Sequence, residues 1–139
     1  MTVLELPWPP SVNHYWRLGN GHFHVSTEGQ RYKAKVAGIL ATAGIQPLRG
    51  AVKLTIDAFP PDRRRRDIDN IEKCLLDSCV YRRGFAAGLY LDDSQVKRKE
   101  STMWDFDPAR PGIVILTCSP WSGLAPVPVH SPGMEGGPP

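Results

Sequence analysis

The chain has 139 residues, of which 41% are hydrophobic and 22% charged, with a formal net charge of +3. That is enough apolar sequence for one domain with a real core. It excludes a polycation that binds nucleic acid by total charge alone, so any such role must rest on where the charge sits. Cys74, Cys79 and Cys118 make no CxxC, which speaks against a zinc knuckle or redox motif and for buried free thiols in a reducing compartment. His14, His22, His24 and His130 are too scattered to furnish a zinc site. The opening "MTVLELPWPP" has neither a basic leader nor an apolar run of membrane-crossing length. A cytoplasmic location with no membrane association is therefore expected.

In chain order, "TVLEL" is a short strand stopped by "PWPPS". "NHYWRLGNGHFHVS" is aromatic and basic, and its Gly-Asn-Gly reads as a hairpin tip or loop leading into a strand "HFHV". "STEGQRYKAKVAGILATAG" predicts a helix capped by Ser26 or Thr27 and stopped near Gly44. Its apolar face is Tyr32, Val36, Ile39 and Leu40, with Arg31, Lys33 and Lys35 elsewhere, and Gly29 blurs its start. "AVKLTIDAF" alternates Val52, Leu54, Ile56 and Ala58 with Lys53, Thr55, Asp57 and Phe59, the period of a strand. "PPDRRRR" is the loop that leaves it. A second helix begins at Asp67 or Asp69, either serving as N-cap, and buries Ile68, Ile71, Leu75 and Cys79. "YRRGFAAG" is a loop, "LYLDDSQVKRKESTMW" a turn and a basic strand, and "GIVILT" a uniformly apolar strand central in a sheet.

From Pro120 the last twenty residues hold six prolines and four glycines, with Glu135 their only charge. Such a tail buries too little to offset its ordering entropy and is expected to be disordered or loosely attached. The predicted organisation is thus a domain over 1–119 and a tail over 120–139. Its class is α/β (α+β), a small single domain with a mixed sheet and two main helices.

The stretch "PDRRRRDIDNIEKCLLD" sets Arg63, Arg64, Arg65 and Arg66 directly before Asp67 and Asp69. Lys73 lies four residues past Asp69, hence on the same helical face, with Asp77 a further turn along. Asp92 and Asp93 form another acidic pair, and as strand neighbours they would face opposite sides. Oxygen ligands without soft partners suit a hard cation such as Mg²⁺. A metal held by aspartates beside arginines that attract a phosphodiester has the logic of a metal-dependent nuclease. Each feature has a plainer reading: an aspartate at a helix start is commonly a cap, and an Asp69–Lys73 pair commonly a surface ion pair of about 0.3–0.5 kcal/mol. Further basic residues (Arg17, Arg31, Lys33, Lys35, Arg82, Arg83) and the run Lys97, Arg98, Lys99 offer a broad face for phosphates. Tyr15, Trp16 and Phe23 are candidates for stacking on exposed bases.

In four blocks, "LPWPPSVNHYWR", "HVSTEGQRY", "PDRRRRDIDNIEK" and "LDDSQV", the chain resembles the RusA family of Holliday-junction resolvases, from about Leu6 to Trp104. The resemblance implies a homodimer that makes paired, Mg²⁺-dependent nicks in branched DNA at a four-way junction, Mn²⁺ being able to substitute. It implies Asp67, Asp69 and Asp93 as essential aspartates and metal ligands, Lys73 as the essential lysine, and Asn13, Tyr15, Arg17, Arg66 and Asn70 near DNA. Arg63, Arg64, Arg65 and Arg66 would guide the backbone. It also picks Asp93 over Asp92. The segment over 78–91 is longer than that pattern, and its Arg82 and Arg83 would either meet DNA or shift Asp93. The tail has no counterpart. Two rivals stand beside this reading: a DNA-binding module without catalysis, and a nuclease of the same fold preferring flaps or forks.

Overall fold

The computed structural model describes residues 1–127. Three long strands make the centre of the sheet and its partners. β4 (Val52–Phe59) lies between β6 (Ile113–Pro120), antiparallel, and β5 (Val96–Met103), parallel. β1 (Thr2–Pro7) pairs antiparallel with β6 and closes the order β1-β6-β4-β5. Parallel neighbours need a crossover; the one between β4 and β5 carries the arginine loop and α3 (Asp69–Ser78). The topology therefore brings the loop, the helix and the start of β5 together.

The alternation in β4 is realised up to its end: Val52, Leu54, Ile56 and Ala58 are all fully buried, and Phe59, expected on the other face, is buried as well. β6 lies between β1 and β4, central as expected, but it is buried on one side only. Val114, Leu116 and Cys118 are buried, while Ile113, Ile115 and Thr117 between them are half-buried. Only one face of the sheet meets helices, so a uniformly apolar run still buries every second residue. Tyr32, Val36, Leu40, Ile71 and Leu75 pack on that face against Leu4, Leu6, Leu54, Ile56, Val114 and Leu116.

α2 (Thr27–Thr42) starts where Ser26 caps it, its hydroxyl accepting from the Gly29 N–H at 3.0 Å. Tyr32, Val36, Ala37 and Leu40 form the buried stripe, and Tyr32 also donates to the Pro7 carbonyl at 2.7 Å. Ile39 is only half-buried. Gly29 is required by packing: a Cβ there would lie 2.7 Å from both Tyr15 Cδ1 and Val25 Cγ1. Before α2, a short α1 (Val12–Tyr15) runs into β2 (Trp16–Gly19) and β3 (His22–Val25). Their two-residue turn places Asn20 at φ 51° and Gly21 at φ 76°, the left-handed pair a tight hairpin requires.

The three cysteines are free and buried, and burial pushes the Cys74 thiol up to about 12, far from thiolate chemistry. Pro120 still belongs to β6, and the Trp121 N–H donates to the Ala51 carbonyl at 2.9 Å, with Arg98 over its ring. The chain is thus tied down just past the expected boundary, and residues 128–139 of the expected tail lie outside the described residues. Among the described residues no helix is long and apolar enough to cross a membrane.

Candidate active site

α3 supplies the scaffold. Ile68, already helical at φ −64° and ψ −34°, is its N-cap residue, and no side chain caps it. The expected capping role of Asp67 or Asp69 is therefore not realised. Instead the Asp67 carbonyl accepts from the Asn70 N–H at 3.2 Å, and the carboxylates of Asp67 and Asp69 stay exposed beside the positive end of the helix dipole. The buried stripe is Ile71, Cys74, Leu75 and Ser78, with Ile68 half-buried. This leaves Lys73 and Asp77 on the flank.

Lys73 does not pair with Asp69. Its Nζ lies 3.0 Å from Asp77 Oδ1 and 3.8 Å from Asp93 Oδ2. The other oxygen of Asp77, Oδ2, accepts from the Tyr15 hydroxyl at 3.0 Å. Tyr15 is fully buried, so its ring is not available to stack on a base; it reaches the site from the core as a positioning residue. Its hydroxyl is held neutral, first by burial and then by the Asp77 carboxylate.

Asp93 arrives by a different device. Asp92 and Asp93 open a 3-10 turn (Asp93–Gln95), not a strand, so strand alternation does not decide between them. Asp92 Oδ1 accepts from the Ser94 N–H at 2.8 Å, and Gln95 Oε1 accepts from the N–H of Asp92 and of Leu91. This is a capping box. Gln95 Nε2 donates to the carbonyls of Leu48 and Gly50, both at 2.8 Å, which fastens the turn. Asp92 is thereby occupied, and its carboxyl is held low by the Ser94 N–H. Asp93 is left facing Asp77, whose hydrogen bonding raises the Asp93 carboxyl, with burial adding to the shift and Lys73 opposing it. The long segment before it is folded: Tyr90, fully buried, donates to the Leu76 carbonyl at 2.6 Å, and Arg82 pairs with Ala87 in a turn. Arg82 packs over Phe85, while Arg83 is exposed.

Among the described residues no three of His, Cys, Asp and Glu form a ready metal-holding group. Asp67, Asp69 and Asp93 are therefore not drawn to one point, and Asp93 meets Lys73 and Asp77. The donor set still fits a hard cation: every candidate ligand is a carboxylate, and Asp77 and Asp93 crowd like charge that a divalent ion would relieve.

The four arginines are not equivalent. Arg66 makes a bidentate pair with Asp62, at 2.7 and 3.0 Å, and lies over the Trp8 ring. Asp62 also accepts from the Arg64 N–H, and its carboxyl is held at about 2 chiefly by Arg66. Arg63 sits over Phe106, while Arg64 and Arg65 are exposed. Asn13 and Arg17 are exposed beside the hairpin, and Asn70 is half-buried at the mouth of α3. Trp16 is half-buried, whereas Phe23 is 75% exposed. The expected broad basic face is interrupted: Arg98 pairs with Glu100, and Lys99 with Glu72.

Two contributors escaped the candidate set. Gln95 was legible as the fourth residue of "DDSQ", the spacing of a capping box. Asp77 was visible as a further acid on the Lys73 face, but the tyrosine that orients it came from 62 residues away.

A carboxylate-and-lysine cluster on a helix of a mixed sheet, fronted by an arginine loop, is the arrangement of a phosphodiester-cutting enzyme. The family model for endodeoxyribonuclease RusA matches residues 7–116, and this chain belongs to that family. It is 46% identical over 94 residues to the crossover junction endodeoxyribonuclease RusA of Escherichia coli K12, covering 67% of this chain and 74% of the relative. The proteins of the same name from Shigella sonnei and Enterobacteria phage 82 are each 44% identical over the same spans.

Proposed function

We propose that this chain is a homodimeric, Mg²⁺-dependent endonuclease of the cytoplasm that resolves four-way DNA junctions by paired nicks. The observation that carries the reading is Lys73 held between Asp77 and Asp93 on the helix that begins at Asp69, just past Asp67. Family membership and the relatives' name, crossover junction endodeoxyribonuclease, support the reaction class and the branched substrate. A two-fold dimer would match the symmetry of two opposed cuts.

Asp67, Asp69 and Asp93 would hold Mg²⁺, or Mn²⁺ in its place. When bound, such an ion would supply Lewis-acid charge at the reacting phosphoryl group. The chain's own residues supply the rest. Lys73 presents an ammonium where negative charge develops, fixed by Asp77, which Tyr15 orients from the core. Arg63, Arg64 and Arg65 draw in the backbone. Arg66, tied to Asp62, shapes the loop that carries them. Asn13, Arg17 and Asn70 would meet the flanking DNA.

The test is strand cleavage of a synthetic four-way junction with Mg²⁺, wild type beside Asp67→Asn, with binding recorded in parallel. Paired nicks by wild type alone, with binding kept in the variant, are expected. Binding by both and cutting by neither, in Mg²⁺ and in Mn²⁺, would contradict the enzyme and favour a binding module.

A further inference from the structure

A cleft of about 570 Å³ runs between the Trp8–Ser11 loop, the outer face of α2 and the arginine loop. Arg31 and Lys35, one turn apart on α2, form one wall; Arg64, Arg65 and Arg66 form the other. Glu28 is the one carboxylate among the lining residues, and Tyr32 and His14 line the cleft as well. Among the described residues Arg31, Lys35 and Arg65 make no ion pair, in contrast to Arg66, Arg98 and Lys99. Asp62 already compensates Arg66 and lies 3.9 Å from Arg64, which leaves Arg31, Lys35 and Arg65 against Glu28, still an excess of positive charge that favours an anion.

The cleft adjoins a hollow beside Asp67. This second hollow of about 370 Å³ is lined by Asp67, Asn70 and Ile71 and shares Trp8, Ser11, Arg65 and Arg66 with the first. Both hollows are open to solvent, and each is of the size that accommodates a nucleotide. One end of the track is thus a helix face with two unpaired cations, and the other a carboxylate of the cutting site. Along the way Trp8, Pro9 and Pro10 offer an apolar wall to sugar or base.

We propose that this track holds a single DNA strand adjoining the cut, with Arg31 and Lys35 gripping the phosphodiesters that flank the one presented at Asp67. The inference rests on the nuclease reading above and goes beyond it. It assigns α2 to substrate selection, because one strand enters the track only where the duplex has opened, as at a branch point.

The test is equilibrium binding of the full chain to a four-way junction and to a linear duplex of the same arm sequence, over a salt series. Wild type is compared with Arg31→Ala/Lys35→Ala and with the exchange Arg31→Lys/Lys35→Arg. Both positions are on the surface of α2, and alanine favours helix. The alanine pair is expected to lose junction affinity roughly tenfold, its salt slope falling by about 1.4, or 0.7 for each lost single-strand contact. Duplex affinity should move less, and the exchange should keep the wild-type slope. An alanine pair with wild-type slope and junction affinity overturns the proposal, as does an equal loss on duplex and junction. A wild type that binds neither DNA overturns the functional reading itself, a result distinct from failure of the variants alone.

Discussion

A carboxylate–cation pair and a cluster of one lysine with two carboxylates stand on either side of the start of α3, and they are opposite in character. Asp62 and Arg66 form a bidentate pair within one loop, closed over four residues and open to solvent. Lys73, Asp77 and Asp93 join α3, the 3-10 turn and, through Tyr15, the core. Their titration differs accordingly: the Asp62 carboxyl is held at about 2 by a guanidinium, while the Asp93 carboxyl is raised by a neighbouring acid. A pair of opposite charges that satisfies itself shapes a loop. A cluster with one lysine for two acids is short of positive charge and ready for a cation or a developing transition state.

The contrast can be broken at its strongest point first. Lys73→Met should slow cutting by about 10²–10³-fold, as loss of one preorganised charge does, with junction binding nearly unchanged; single-turnover rates with parallel binding curves check this. Gly29→Ala forces a methyl against Tyr15 and Val25 and should cost about 1–3 kcal/mol in denaturant unfolding, while cutting also falls because Tyr15 is displaced. Tyr15→Phe removes only the hydroxyl. It should cost about 1.5–3 kcal/mol, the range for a hydrogen bond to a charged group, and slow cutting without weakening binding.

The loop should respond more mildly. Asp62→Asn should lower junction affinity by less than about fivefold, because an exposed pair screened by solvent contributes little. Its pH dependence has a definite sign. The folded carboxyl is depressed, so its stabilisation is present above the unfolded value of about 3.9 and is lost as pH falls toward about 2. Asp62→Asn should therefore be slightly less stable than wild type at neutral pH, and the difference should close as pH falls toward about 2.

Much of this was legible where a residue's role follows from its neighbours in sequence. The alternation of β4 before Phe59, the Ser26 cap, the Gly44 stop and the Asn20-Gly21 turn are local physics, and each formed as read. Lys73 shows where locality ends. It has an aspartate four residues before it and another four after, and helix statistics favour the acid on the N-terminal side. The structure chooses Asp77, because Tyr15 from α1 and Asp93 from the turn converge there. Nor does spacing reveal that Tyr15 is buried, since α1 has only four residues and no periodicity to read. The single covered face of the sheet is likewise a tertiary fact that the apolar run of β6 conceals.

The most direct test sets the two regions against each other in one assay. Single-turnover cleavage of a four-way junction would be measured at rising protein concentration for Lys73→Met and Arg65→Ala. If the cluster cuts and the loop holds, Arg65→Ala recovers the wild-type rate at saturation and Lys73→Met stays slow at every concentration. A Lys73→Met enzyme that recovers at saturation, with Arg65→Ala remaining slow, would contradict that division.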